Sequence, residues 1–178
     1  MNMFDTLKYN NVNLDLLTET YGADFYGKYF SKWAEYCKVS EDTRSNIQGY
    51  LLGKVEGLKN NEMIKDWHGH VSAVTVAPQF RRQGLAKALM QYLEEVSTKQ
   101  HDAYFVDLFV RPSNHIAVNF YKQLGYSVYR TVSGYYSGDD THNDEDAYDM
   151  RKSMAKDADG SLSKPTNRAI QPHELEYH

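Results

Sequence analysis

Several short stretches of this chain carry residue types that could do chemistry. The first is Arg81-Arg82-Gln83-Gly84-Leu85-Ala86, set between an apolar run that ends at Val76 and a stretch with helical periodicity. Glycine lets a backbone approach a ligand closely. The first amides of the following helix have no carbonyl one turn earlier, and the helix dipole favours an anion there. Two arginines add charge and forked donors suited to phosphate. The stretch therefore reads as a pyrophosphate cradle, against the plainer reading of a strand–helix turn with surface arginines. The second is His68-Gly69-His70, whose two rings face the same way if the segment is a strand. A metal reading lacks a third ligand, and a structural histidine is the default for each. Two further motifs fall short. Gly49 to Val55, "GYLLGKV", is one residue short of a nucleotide P-loop and has Val55 where a hydroxyl is required. The acidic run "GDDTHNDED" lacks the spacing and central glycine of a calcium loop and reads as a solvated loop.

The elements that must position these residues follow from periodicity. Asp15 to Trp33 reads as two short helices broken at Gly22 and Ala23, with Asp24 capping the second. A short strand spans Tyr36 to Val39 and another Ile47 to Val55. "LKNNEMIKD" is expected as a loop, and Trp67 to Pro78 as a long strand stopped by its proline. After Gly84, the residues Leu85, Leu89, Leu93 and Val96 form one helical face, with Ala88 and Tyr92 beside it. Tyr104 to Val110 is nearly all apolar and so central. A second helix is expected to be capped by Ser113 and ended by Gly125. Two more strands flank the acidic loop. This order predicts an α/β fold with a mixed, mostly antiparallel sheet and a right-handed parallel crossover from Trp67 to Val110. One domain over residues 1–154 is expected, followed by a polar, mobile tail over residues 155–178.

Composition narrows the classes. The 178 residues, 41% of them hydrophobic, suit one domain with its own core. A net charge of -4 offers no basic field for nucleic acid, so a phosphate ligand has to be held locally. The single cysteine, Cys37, precludes an internal disulfide and fits a reducing cytosol. No stretch is long and apolar enough for a membrane span, and "MNMFDTLKYNN" does not read as a signal peptide. Tyrosine occurs 15 times; it fills cores, but also lines sites that hold peptide backbone through its hydroxyl.

The cradle stretch matches the [QR]-x-x-G-x-[GA] signature of the GNAT acetyltransferases. "NNVNLDLLTETYG", "WHGHVSAVTVAPQFRRQGLA", "VDLFVRPSN", "AVNFYKQLGYSVYRTVSGYY" and "DEDAYDMRK" together resemble one branch of that family, the catalytic subunits of the NatB N-terminal acetyltransferases, from Asn10 to Lys152. The resemblance implies a GNAT fold whose sheet splays into a V between two parallel strands, and acetyl-CoA as cosubstrate, with no metal. The amides of Arg82, Gln83, Gly84, Leu85 and Ala86, with Arg81 beside them, would hold the pyrophosphate. The pantetheine arm would pair with the backbone of Val74 and Val76, and Asn114 would hydrogen-bond it. A backbone amide near Val74 could meet the oxyanion. Tyr121 would be the acid for the leaving thiolate, against the plainer reading of a packed helix tyrosine.

For the acceptor, the resemblance implies that His70, with Ser72 on the same face, meets the second side chain of a peptide. That suits proteins beginning Met-Asp, Met-Glu, Met-Asn or Met-Gln. An α-amino group titrates near about 7.7–8.0, so part is neutral at pH 7 and water relayed by His70 or a tyrosine could take its proton. Glu19 and Tyr21 would wall the peptide channel, and Tyr21 and Phe109 would line the methionine slot. Tyr135 and Tyr136 would hold peptide backbone, which requires a bend, because neighbours in a regular strand point to opposite faces.

The resemblance further implies a heterodimer with a large α-helical auxiliary subunit that docks on ribosomes, placing the protein in the cytoplasm. The aromatic helices from Asp15 to Trp33 would form that interface, against ordinary core packing. The family opens with a strand that "MNMFD" does not resemble, so that edge strand is expected to be truncated or supplied differently. A GNAT enzyme acting on lysine or a small amine, and a catalytically silent CoA-binding subunit, remain the alternatives.

Overall fold

The computed structural model describes residues 12–13, 21–60, 63–138 and 143–176. Helix α1 covers Ala23–Lys32, β1 Lys38–Glu41, β2 Ile47–Asn60 and β3 Met63–Val76. Helix α2 covers Leu85–His101, β4 Phe105–Val110, α3 His115–Gln123, β5 Ser127–Tyr136, β6 Glu145–Ser153 and β7 Ala169–Ile170. The strands form a seven-stranded sheet in the order β1-β2-β3-β4-β6-β5-β7. Pairs β1/β2, β4/β6 and β5/β6 are antiparallel, while β5/β7 is parallel. Strands β3 and β4 also run the same way: Tyr104 N–H meets the Trp67 carbonyl at 2.8 Å, the His68 ring stacks on Phe105, and His70 lies beside Asp107. The two strands are thus parallel and joined by α2, as expected.

The chain divides into two compact units, Met1–Lys54 with Val71–Val96, and Val55–His70 with Ser97–His178. In the first, Tyr26 and Tyr29 of α1 are buried with Val12, Cys37, Ile47, Tyr50, Leu52 and Ala77; Phe25, Phe30 and Trp33 pack against them. These rings recur at helical spacing, so they share one face, and that face is turned into the core. Of the aromatic residues expected at a partner interface, Tyr26 and Tyr29 are core residues, while Phe25, Phe30 and Trp33 are half-buried. The preceding helix expected from Asp15 lies largely outside the described residues, as does "MNMFD". Gly22, not Asp24, is the N-cap of α1, with Asp24 in the first turn where its charge faces the dipole. On α2, Leu89, Leu93 and Val96 are buried as expected, joined by Met90. Cys37 is buried, and burial pushes its thiol up to about 12, so it stays protonated and unreactive.

In the second unit, the segment expected as a loop around "LKNNEMIKD" is mostly strand. A backbone ladder needs no apolar side chains, so polar residues can continue it. Residues 155–176, part of the stretch expected as a mobile tail, are instead docked. Asp157 is buried and accepts from the hydroxyls of Ser153, Ser161 and Ser163. β7 pairs with β5, Ile170 enters the core cluster of Val132 and Ala147, and Glu176 meets Arg130 at 3.0 Å. Composition alone missed this because one buried carboxylate with many donors can order a polar segment.

Beneath that segment, Asp149 is fully buried between two guanidiniums, with Arg130 at 2.9 Å and Arg151 at 3.1 Å. Arg151 also lies over the Tyr129 ring at 3.5 Å and donates to the Leu162 carbonyl. Removing the carboxylate would take from two buried guanidiniums the anion they share. We predict that Asp149→Ala lowers unfolding stability by about 3–5 kcal/mol, read from the denaturant midpoint.

Candidate active site

The signature turn is built from two left-handed residues. Arg82 has φ 61° and Gly84 φ 84°. A Cβ at Gly84 would meet no protein atom within 4 Å, so its dihedral, not crowding, calls for glycine, and open space lies beside it. The first intrahelical bond of α2 runs from Ala88 N–H to the Gly84 carbonyl, which leaves the amides of Leu85, Ala86 and Lys87 without an acceptor in the helix. Arg81 to Gly84 are exposed. Arg81 is also a brace: its Nε donates to the Val76 carbonyl at 3.0 Å, tying the turn to the end of β3. Val74, half-buried, lies two residues earlier on β3.

In the same unit, the Ser72 hydroxyl bonds the Tyr29 hydroxyl at 2.6 Å, and the Tyr21 hydroxyl donates to the Ser72 carbonyl at 3.4 Å. Tyr21 stacks on Phe25 at 4.0 Å. The structure thus joins Tyr21 to Ser72 and adds Tyr29. Glu19 lies outside the described residues.

In the other unit, His68 and His70 project from one face of β3, as the alternation predicts. Gly69 makes this possible: a Cβ there would collide with the Ser97 hydroxyl of α2, so the helix packs on the face opposite the histidines. His68 is fully buried, 3.6 Å from both Glu56 and Asp107. His70 Nδ1 lies 2.8 Å from Asp107 Oδ1 and 3.9 Å from Glu56 Oε1. Burial alone would raise the Asp107 carboxyl. The charges of His68 and His70, the His70 hydrogen bond and the Arg151 guanidinium outweigh it and hold the group well below the usual carboxylate range. Among the described residues, no group of three or more His, Cys, Asp and Glu is placed to hold a metal ion.

The bend required by Tyr135 and Tyr136 is present. Val132 pairs with Ala147 and Tyr136 with Glu145, so four steps on β5 oppose two on β6. Gly134, at φ 59°, supplies the turn, and its N–H donates to Asp146 at 2.9 Å. The two rings meet edge to face at 5.0 Å, and Tyr135 packs on Phe109 at 4.7 Å, which lies 5.5 Å from the His70 ring. Arg111 covers Tyr136 at 4.1 Å and pairs with Glu145 at 3.1 Å; Glu145 also accepts from Ser113 N–H. His70, Phe109, Tyr135 and Tyr136 therefore form one continuous array.

Tyr121 is buried on α3, and burial alone drives its hydroxyl above the ordinary tyrosine range. The cap of α3 is Asn114, not Ser113: its Oδ1 accepts from Ala117 N–H at 3.1 Å. The expected cap, Ser113, is one residue early, because only the backbone geometry fixes which of two neighbouring polar side chains meets the open amide. Gly125, at φ 94°, ends the helix as expected.

Asp107, Glu56 and Arg111 were not anticipated. Asp107 was readable only as a charged residue inside an otherwise apolar strand, a signal that a buried partner must exist.

Comparison with known proteins defines the class. Residues 9–126 match the model of the acetyltransferase (GNAT) family. N-alpha-acetyltransferase 20 of Dictyostelium discoideum is 52% identical over 168 residues, covering 94% of this chain and 91% of its own. The N-terminal acetyltransferase B complex catalytic subunit NAA20 of Arabidopsis thaliana is 49% identical, covering 97% of this chain and 94% of its own. The crystal structure of Chaetomium thermophilum Naa20 with a bisubstrate analogue superposes with a TM-score of 0.88 at 42% identity, over 97% of this chain and 95% of that one. The chain belongs to the GNAT acetyltransferase family and, within it, to the NatB catalytic subunits.

Because Gly134 sets the tyrosine pair, a β-branched residue there should disturb both stability and site. We predict that Gly134→Val costs about 1–2 kcal/mol, measured by denaturant unfolding, since an L-residue in the left-handed region is strained.

Proposed function

We propose that this protein is the catalytic subunit of a NatB-type N-terminal acetyltransferase. It would transfer acetyl from acetyl-CoA to the α-amino group of proteins beginning Met-Asp, Met-Glu, Met-Asn or Met-Gln. The observation that carries this reading is similarity to NatB catalytic subunits over nearly the whole chain, with the signature turn intact in geometry.

The amides at the tip of α2 and the guanidiniums of Arg81 and Arg82 hold the diphosphate of the cosubstrate. Val74, Val76 and Asn114 direct its arm. The acceptor's α-ammonium loses a proton to water, relayed by a tyrosine hydroxyl, or by His70 when its ring is neutral; its nitrogen attacks the thioester carbon and sheds a second proton to the same water, and the C–S bond breaks as the sulfur gains a proton. Tyr121 supplies that proton. Burial keeps the phenol protonated at physiological pH, but also opposes a lasting phenolate, so Tyr121 must be reprotonated as the thiolate leaves. Tyr135 and Tyr136 grip the peptide backbone beside Phe109, favouring a chain end over a lysine side chain.

The protein acts with a large helical auxiliary subunit, which brings it to ribosomes in the cytoplasm. A solved NatB complex bound to a bisubstrate inhibitor supports this reading, with 35% identity and a TM-score of 0.83 over 98% of this chain and 96% of that one. With Tyr26 and Tyr29 in the core, α1 offers a partner the half-buried rings of Phe25, Phe30 and Trp33 and its exposed side, Asp24, Lys28, Ser31 and Lys32.

A peptide panel with acetyl-CoA and the auxiliary subunit tests the activity. Met-Asp should be acetylated in preference to Met-Leu, Ser-Gly and internal lysine. Preference for lysine would make it a different GNAT enzyme, and no turnover a silent subunit. Tyr121→Phe should lower kcat by about 10²–10⁴ while leaving CoA affinity nearly unchanged by calorimetry. Loss of CoA binding would remove Tyr121 from the acid role.

A further inference from the structure

The bond between His70 and Asp107 restricts what His70 can do for an acceptor. An ionised carboxylate only accepts hydrogen bonds, so at 2.8 Å the His70 Nδ1 must carry the proton. Nε2 is then the ring nitrogen left for a substrate. In the neutral ring Nε2 only accepts; it donates only when the ring is an imidazolium. An acceptor's carboxylate has no proton to give and requires a donor, so Met-Asp and Met-Glu are read only by charged His70. An amide carries both N–H and C=O, so Met-Asn and Met-Gln can be read by either ring state.

We infer that Asp107 is the specificity-determining positioning residue of this site: by holding Nδ1–H and countering the charge of the imidazolium, it confers the acceptance of acidic second residues. The inference rests on the proposed function. The surroundings agree with it. Glu56 of β2 lies 3.9 Å from the same nitrogen, adding a second negative group. His68 of β3 and Arg151 of β6 face Asp107 and keep it ionised, and Arg151 is itself held by Asp149. The His70 side chain is about 10% exposed, so the ring is held inside the fold and its orientation is set by this one short bond.

The test compares kcat/KM for Met-Asp and Met-Asn peptides, using the full chain with its auxiliary subunit and acetyl-CoA. Both are measured in one preparation, so their ratio does not depend on how much protein is active. Asp107→Asn keeps an acceptor for Nδ1–H but removes the charge. It should lower the Met-Asp to Met-Asn ratio by about tenfold, chiefly through KM for Met-Asp, because a charged hydrogen bond is lost for one peptide only. Glu56→Gln should move the ratio the same way by less. In the unsubstituted complex the ratio should fall as pH rises, since the α-amino titration is common to both peptides and cancels. This last measurement needs no variant to fold. If the unsubstituted complex does not prefer Met-Asp to Met-Leu, the functional reading itself fails. If it does, but Asp107→Asn reduces both peptides in proportion, or the ratio is flat with pH, the inference is overturned.

Discussion

Asp107 is a carboxylate almost without solvent, and burying such a group is costly unless its charge is answered on several sides. Two histidines from β3 and a guanidinium from β6 supply that answer, with Glu56 close enough to share the histidines. Parallel pairing of β3 with β4 puts His70 beside Asp107, and antiparallel pairing of β4 with β6 puts Arg151 opposite it. Moving any of these strands by one residue would turn its charges to the other face and leave the carboxylate unanswered. The registry of the sheet in this unit and the tautomer of His70 are thus consequences of the same requirement.

Three glycines act at three points, each for a different reason. Gly69 is needed for space, because Ser97 of α2 stands where its Cβ would be. Gly84 and Gly134 are needed for dihedral angle, and neither has a neighbour that a Cβ would touch. At Gly84 the consequence is a helix tip with open space in front of it. At Gly134 it is a bulge that brings two consecutive tyrosines together. Chemistry carried by side chains is in each case positioned by a residue that has none.

Tyr121 and the signature turn show contrasting uses of exposure. Arg81 to Gly84 are exposed, which suits their proposed role in receiving a large anion. Tyr121 is buried and its proton strongly held, which suits its proposed role as the acid for a leaving thiolate.

Local sequence signals carried a large part of this structure. The left-handed turn before α2, the two-histidine face, the face of α2 and the glycine stop of α3 were all readable, because each depends on the periodicity or dihedral freedom of a few neighbouring residues. Even the bend at Tyr135 and Tyr136 could be required in advance, though not located. What local signals could not decide was where polar groups find partners far along the chain. Asp107 with His70, Glu145 with Arg111 and Ser113, and Asp149 with Arg130 and Arg151 join residues from different elements, and the docking of residues 155–176 depends on such bonds. The choice of Asn114 over Ser113 as cap was settled by backbone geometry, and the inward turn of the α1 rings by what the rest of that unit offered to cover them. Periodicity and backbone freedom are properties of a segment. The pairing of buried charges is a property of the assembled sheet, since it exists only once strands distant in sequence are fixed in register.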